Sequence, residues 1–321
     1  MKTKELKEKF STLHKKYEIF APVRREKRLK TGYINTMSCV EFTAEIPEYS
    51  YKEAFFPSRQ TMFKYKGEKF TKEGSLKREQ VVLGMGLADL RALELYKRVF
   101  AEDEYFQNRI EKSVVVGFGK SPLSREALAV LPFDLFITQE EDESYKFLSR
   151  TDRGSKLAQE LALEISEDIE ESKKDEPFPV SDFYQQIKSN MEGDKAAKVF
   201  EDLGQKCIEC GKCTMVCPTC FCFRIDDEQG FEEDEGTRKR VWDSCYYHEF
   251  SEVAGGHRFL DTTKDRIKFW YYHKFARIPN EYKMLGCVSC GRCTKTCPAG
   301  INLEENLKNI FDSSKEEGNK K

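Results

Sequence analysis

Residues 206–218 read KCIECGKCTMVCP, and residues 286–298 read GCVSCGRCTKTCP. Both carry the spacing C-x2-C-x2-C-x3-C followed by proline. The cysteines are Cys207, Cys210, Cys213 and Cys217 in the first stretch, and Cys287, Cys290, Cys293 and Cys297 in the second. Glycine follows the second cysteine each time (Gly211, Gly291), and a basic residue precedes the third (Lys212, Arg292). The two stretches are therefore an internal repeat.

The spacing has a direct physical reading. Three thiolates two residues apart wrap one face of a cubane from a tight loop, and loop amides can point at the sulfurs. Gly211 and Gly291 let the backbone turn and approach closely. The fourth cysteine falls on the next turn, faces away from its own loop and, in this two-cluster pattern, ligates the other cluster. The repeat thus predicts two [4Fe-4S] clusters. Cys207, Cys210, Cys213 and Cys297 are expected to hold the first, and Cys287, Cys290, Cys293 and Cys217 the second. Pro218 and Pro298 fix the exit of each motif. A structural zinc site wants four ligands, commonly as two separated C-x2-C pairs. Three cysteines at x2 spacing with a fourth before proline, twice over, fit it poorly.

Of the other four cysteines, three lie close to the repeat. Cys220 and Cys222 follow the first motif in CPTCFC, and Cys245 lies further on. They match no metal pattern, and packing beside a cluster is the favoured role. Part of a third site, or competition with Cys217, are the alternatives. Cys39 stands alone before residue 207.

The repeat occupies the C-terminal part of a 321-residue chain, long enough for two domains. The acidic stretch EISEDIEESKKDEP (164–177) reads as a helix end and linker. It separates residues 1–175 from 176–321. Before it, a charged helix is expected over 2–16. Strand-like runs follow at 17–22, 81–85, 114–118 and 133–138. Helices are expected at 88–100, where Leu90, Leu93, Tyr96 and Phe100 recur, and at 124–130. A longer helix from Asp152 would carry Leu157, Leu161, Ile165 and Ile169 on one stripe. The fold class expected is α+β, with an α/β-like N-terminal domain followed by a mostly helical, ferredoxin-like dicluster domain. One or two helices are placed at 181–203, and the polar residues after 312 are expected to fray.

Between the motifs, the acidic run DDEQGFEEDE (226–235) reads as a solvated loop, and Trp270, Tyr271, Tyr272 and Phe275 read as core. His248, His257 and His273 have no ligand spacing. The basic run RREKRLK (24–30) reads as a solvated segment. Gly84-x-Gly86 and Gly117-x-Gly119 lack the third glycine of a nucleotide loop and read as tight strand-to-helix turns. No Walker loop, G-x-S-x-G or H-E-x-x-H occurs, and no nucleophile stands with a base.

Charged residues make up 34%, above the usual ~25%. Lys plus Arg is 54 against 56 Asp plus Glu, for a net charge of -2, which argues against nucleic acid as a partner. The opening MKTKELKEKF lacks a signal peptide's apolar run, and no segment is apolar enough to insert in a membrane. A cytoplasmic location is expected, where structural disulfides are rare.

CPTCFC, VWDSC (241–245), EVAGGHRF (252–259), YYHKF (271–275) and the second motif together resemble a dicluster iron–sulfur family. That family includes the beta subunits of cytoplasmic sulfhydrogenases and the A subunit of anaerobic sulfite reductase. GMGLADLRALELYKRVFAEDEYFQNR (84–109) is similar to the family's stretch around a PCDLRA motif. Here Leu87-Ala88 replaces its Pro-Cys, and GFGKSPLSREALAV (117–130) has no cysteine, so no N-terminal cluster is implied. The resemblance implies an electron-transfer subunit of an anaerobic oxidoreductase complex, itself non-catalytic. Its partners would be a flavin-containing, NAD(P)- or ferredoxin-linked subunit and a separate catalytic subunit. The alternative is a self-sufficient reductase with a flavin or substrate site in the N-terminal domain.

Overall fold

The run Gln80–Met85 is buried at every position and forms β5, the start of a parallel core. The computed structural model describes residues 1–123, 128–166, 189–191, 194–232 and 234–312. Chain contacts divide them into two units: Met1–Pro177 with Ile225–Val241, and Phe178–Arg224 with Trp242–Lys321.

In the first unit, β1 (Glu18–Arg25), β2 (Arg28–Ile34), β5, β6 (Ser113–Lys120), β7 (Leu135–Gln139) and β8 (Tyr145–Ser149) make a six-stranded sheet, ordered β2-β1-β5-β6-β7-β8. β1, β5, β6 and β7 are parallel, and antiparallel β2 and β8 close the edges. The central runs QVVLGM and SVVVGFG are continuously buried, as parallel strands covered on both faces must be. α1 (Thr3–Ser11) buries Leu6 and Phe10 in the core with Ile19, Val81, Val116 and Ile137, and the single turn α2 (Lys52–Phe55) buries Ala54 and Phe55. α3 (Leu87–Val99) follows β5 and buries Leu90, Leu93 and Tyr96, the stripe expected from the sequence. α4 (Glu104–Glu111) is capped by Asp103, whose carboxylate accepts from Phe106 N–H at 2.7 Å.

The basic run is solvated over 24–28, as expected, and forms a β-hairpin turn with Glu26 and Lys27 left-handed between paired Arg25 and Arg28. Several other local expectations are corrected. Gly117 and Gly119 lie inside β6, not at a turn. A Cβ at Gly117 would meet the Phe136 ring at 2.3 Å, so the glycine makes room for β7. Gly84 sits at a register shift within β5, and Gly86 caps α3. The helix from Asp152, α5, stops at Glu160. Leu163 N–H turns back to Ala158 O and Ala162 is left-handed, so Ile165 forms a bridge with Phe147 instead of extending the stripe. Ile169, residues 124–127 of the short helix, most of the 164–177 stretch, residues 181–188 and 192–193 of the 181–203 helices and residues 313–321 fall outside the described residues.

The single division at 175 also needs revision, because Ile225–Val241 belongs with the first unit. β9 (Phe223–Gln229) and β10 (Glu235–Trp242) join β3 (Arg59–Lys66) and β4 (Lys69–Lys72) in a second sheet, ordered β4-β3-β10-β9. The acidic run 226–235 therefore starts as strand, with Asp227 paired to Arg238 at 2.7 Å, and returns to strand at Glu235. Arg240 anchors β10. It is 1% exposed, donates to Asp103 Oδ2 and Gln60 Oε1 at 2.6 Å each, and lies over the Phe56 ring. Arg240→Met should cost about 3 kcal/mol in denaturant unfolding, because it strands a carboxylate and an amide that have lost their donor. Cleavage by protease within 225–241 should rise with it. Wild-type stability together with wild-type protection of this segment would refute the anchoring role.

Among the described residues, the core of the second unit is contributed largely by helices. α6 (Asp194–Lys206), α8 (Thr263–Tyr272) and α11 (Leu303–Asp312) contribute Phe200, Ile267, Trp270, Tyr271 and Ile310 to one core. α8 starts with a capping box in which Thr262 and Asp265 satisfy each other's backbone N–H. A π-helical turn, His273–Arg277, continues α8 into α9 (Ile278–Tyr282). Trp270, Tyr271 and Phe275 are core as expected, while Tyr272 is 37% exposed.

Candidate iron–sulfur site

The two cysteine loops are built alike. Glu209 and Gly211 in the first, and Ser289 and Gly291 in the second, are left-handed at matching positions. This bends the N–H groups of Glu209 and Ser289 back toward Cys207 Sγ and Cys287 Sγ, each at 3.4 Å. Gly211 and Gly291 then cap α7 (Lys212–Val216) and α10 (Arg292–Thr296). Cys217 and Cys297 end those short helices in extended conformation. Gly211 is doubly constrained, since a Cβ there would also meet the Tyr247 ring at 2.7–2.8 Å. Gly291 has open space, and only its φ of +70° demands glycine.

A cavity of about 50 Å³ opens between these loops. Cys207, Cys210, Cys213 and Cys297 line it, together with Cys293 and apolar walls that include Leu203, Ile208, Trp270 and Ile301. Cys217 is absent from that lining; its thiol interacts with Cys220 and Cys213 and, in the second motif, with Cys287 and Cys293. Cys293 is pushed up to about 12, by burial first and then by the charges of Cys217 and Cys287. Cys207 is raised by burial, with Cys297 the nearest thiol in effect. Cys213 is raised by burial and then by Cys293. The fourth cysteine of each motif is thus brought toward the loop of the other, and Cys213 and Cys293 stand between the two groups.

Buried, mutually repelling thiols favour the neutral form, and bound iron reverses this because the metal ligand is the thiolate. Cys217 is the exception. A hydrogen bond from the Cys220 thiol holds it well below the usual thiol range despite burial, with help from the Lys274 charge and Thr219. No three Cys, His, Asp or Glu side chains among the described residues converge on a single-ion site. A spread, all-sulfur donor set with apolar walls and backbone N–H groups on the sulfurs fits a cubane rather than one zinc ion.

Side chains outside the motifs hold the first loop. Glu209 Oε1 accepts from Arg266 Nε at 3.1 Å and from its Nη2, and His248 Nε2 lies 3.0 Å from Oε2. Arg266 is 2% exposed and also donates to Leu260 O and Asp261 O. Burial alone would raise the Glu209 carboxyl, but hydrogen bonds from Thr263 and Arg266 outweigh it and keep it low. Sequence spacing cannot find these partners, since α8 lies far along the chain. Cys245 packs in the core at 2% exposure, as expected. Cys220 does more than pack, because its thiol donates to Cys217.

The profile of the 4Fe-4S dicluster domain family matches residues 206–301. The chain is 29% identical to sulfhydrogenase 2 subunit beta of Pyrococcus furiosus, over 91% of this chain and 92% of that protein. No solved structure matches it. Residues 206–301 thus match a 4Fe-4S dicluster domain, the chain is similar over most of its length to a sulfhydrogenase beta subunit, and it carries two [4Fe-4S] clusters.

Proposed function

We propose that this chain is the electron-transfer subunit of an anaerobic, cytoplasmic oxidoreductase complex. In this reading it relays electrons between a flavin-containing, NAD(P)- or ferredoxin-linked subunit and a catalytic subunit. Its ferredoxin-like second unit holds the clusters, and its α/β first unit docks partners. A [4Fe-4S] cluster takes up and releases one electron at a time.

The observation that carries this reading is the shared wall. Cys207, Cys210, Cys213 and Cys297 are the ligands of one cluster, and Cys287, Cys290, Cys293 and Cys217 of the other. Cys293 nevertheless lines the cavity of the first set, so the two centres are neighbours rather than isolated structural sites. The apolar walls keep water from the sulfurs, and the loop N–H groups offset negative charge on them. The name of the Pyrococcus relative, a beta subunit, supports assembly with other chains. Among the described residues no helix is long and apolar enough to cross a membrane.

Tagged chain purified without oxygen from its own cells should bring down a flavin-bearing subunit and a catalytic subunit. The clusters of that complex should be reduced by the flavin subunit's donor. Recovery of the chain alone under conditions that preserve its clusters would argue for the self-sufficient alternative.

A further inference from the structure

Lys274 lies in the π-helical turn after α8 and is 3% exposed. Its Nζ donates to Cys217 Sγ at 3.3 Å, Thr219 Oγ1 at 2.9 Å and Gly286 O at 2.9 Å. Those three acceptors use all three protons of an ammonium. Thr219 Oγ1 donates in turn to Gly286 O at 2.7 Å and lies 3.2 Å from Cys217 Sγ. The arrangement is built closely. Gly286 N–H donates to Lys274 O at 3.1 Å, and a Cβ on Gly286 would meet Lys274 O at 2.5 Å and Lys274 Cα at 2.7 Å. The residue before Cys287 must therefore be glycine for Lys274 to reach the sulfur.

The repeat makes the asymmetry plain. After Cys217 the chain reads Pro-Thr-Cys; after Cys297 it reads Pro-Ala-Gly. Ala299 and Gly300 carry no donor side chain where Thr219 and Cys220 do. Cys297 Sγ accepts instead from the backbone N–H of Ile301 at 3.4 Å. Cys217 is buried, whereas Cys297 is half-buried. A fixed positive charge and hydrogen-bond donors on a ligand sulfur favour the more negative, reduced state of the centre it holds.

We infer that Lys274 is a positioning residue that raises the reduction potential of the cluster ligated by Cys217 above that of its neighbour. A single electron entering the chain then rests on that cluster, and the other is the low-potential site. The inference rests on the ligand assignment proposed above, and the test separates the two.

The full chain, purified anaerobically with both clusters, is titrated with dithionite while the EPR signals are followed. The signals are assigned by their loss in Cys210→Ser and Cys290→Ser. Wild type should reduce in two separated steps, the Cys290-dependent signal first. In Lys274→Met that signal should become harder to reduce, with its oxidised-to-reduced ratio at fixed solution potential rising about tenfold, about 59 mV for a one-electron couple. Lys274→Gln keeps a donor without the charge and should fall between. The Cys210-dependent signal should stay within about twofold of wild type. A shift confined to the Cys210-dependent signal would place Cys217 on the first cluster, refuting the crossed ligation while leaving the role of Lys274 intact. The role itself is overturned by unchanged potentials in both variants or by equal shifts of both signals. Loss of the cluster from Lys274→Met with wild-type potential in Lys274→Gln, or loss of the cluster from both, would make Lys274 structural and also overturn it.

Discussion

Cys297→Ser is expected to disable the cluster built on Cys207, Cys210 and Cys213, although Cys297 belongs to the other motif. Wild-type chain should contain about eight iron and eight labile sulfide, the sum for two cubanes. The variant should fall toward about four, and the signal that survives should be the one that Cys290→Ser removes. Cys217→Ser should do the reverse. The argument is positional, since Cys297 shares the cavity with the first three cysteines and Cys217 does not. Cys217 lies outside that cavity and acts on Cys287 and Cys293 of the second motif, as well as on Cys213. A serine hydroxyl is a poorer ligand for iron than a thiolate, so even a retained cluster should show an altered signal on the crossed centre. Damage confined in each variant to the cluster of its own motif would refute the crossing. Stoichiometric zinc in place of iron would refute the cubanes as well.

The isolated chain should be bleached fully by dithionite and not at all by NADH or NADPH on the same timescale. Hydride donors deliver two electrons together, and one-electron centres need a flavin or equivalent carrier to split them. The chain's own Gly-x-Gly stretches are no nucleotide loops. Gly117 is closed off by Phe136, and Gly84 is part of a strand irregularity beneath Pro22. Addition of the flavin-bearing subunit should restore bleaching by the pyridine nucleotide, or by reduced ferredoxin if that is the donor. Rapid bleaching of the isolated chain by NAD(P)H, with bound flavin found by mass spectrometry, would overturn the relay and favour the self-sufficient reductase.

Much of the chain was legible because its signals are local. The buried runs at 80–85 and 113–119 carry their own apolar continuity, and α3 its own periodicity, so the parallel core and its crossover helix follow from the residues in place. The second sheet was not legible. Its strands are rich in Lys, Glu and Asp, and β3 and β10 are separated by most of the chain, so their pairing depends on contacts such as Arg240 with Asp103 and Gln60. The helix from Asp152 overran for a related reason. The four-residue stripe continues in sequence, but Ala162 turns left-handed and Ile165 bridges to β8.

At the metal centre the division is similar. Cysteine spacing, the glycines after Cys210 and Cys290 and the closing prolines were sufficient for two four-iron clusters, because the short loops Cys207–Cys213 and Cys287–Cys293 contain nearly all the geometry a cubane needs from its first three ligands. The motifs themselves, however, are alike, and the sequence differs only just past them, Pro-Thr-Cys against Pro-Ala-Gly. What that difference does is decided by the tertiary structure, which brings Lys274 to Cys217 and Arg266 to Glu209 from elements with no sequence neighbourhood to the motifs. Hydrogen bonds and fixed charge act through distances of about 3 Å, and distances between remote residues are set by packing, not by spacing along the chain.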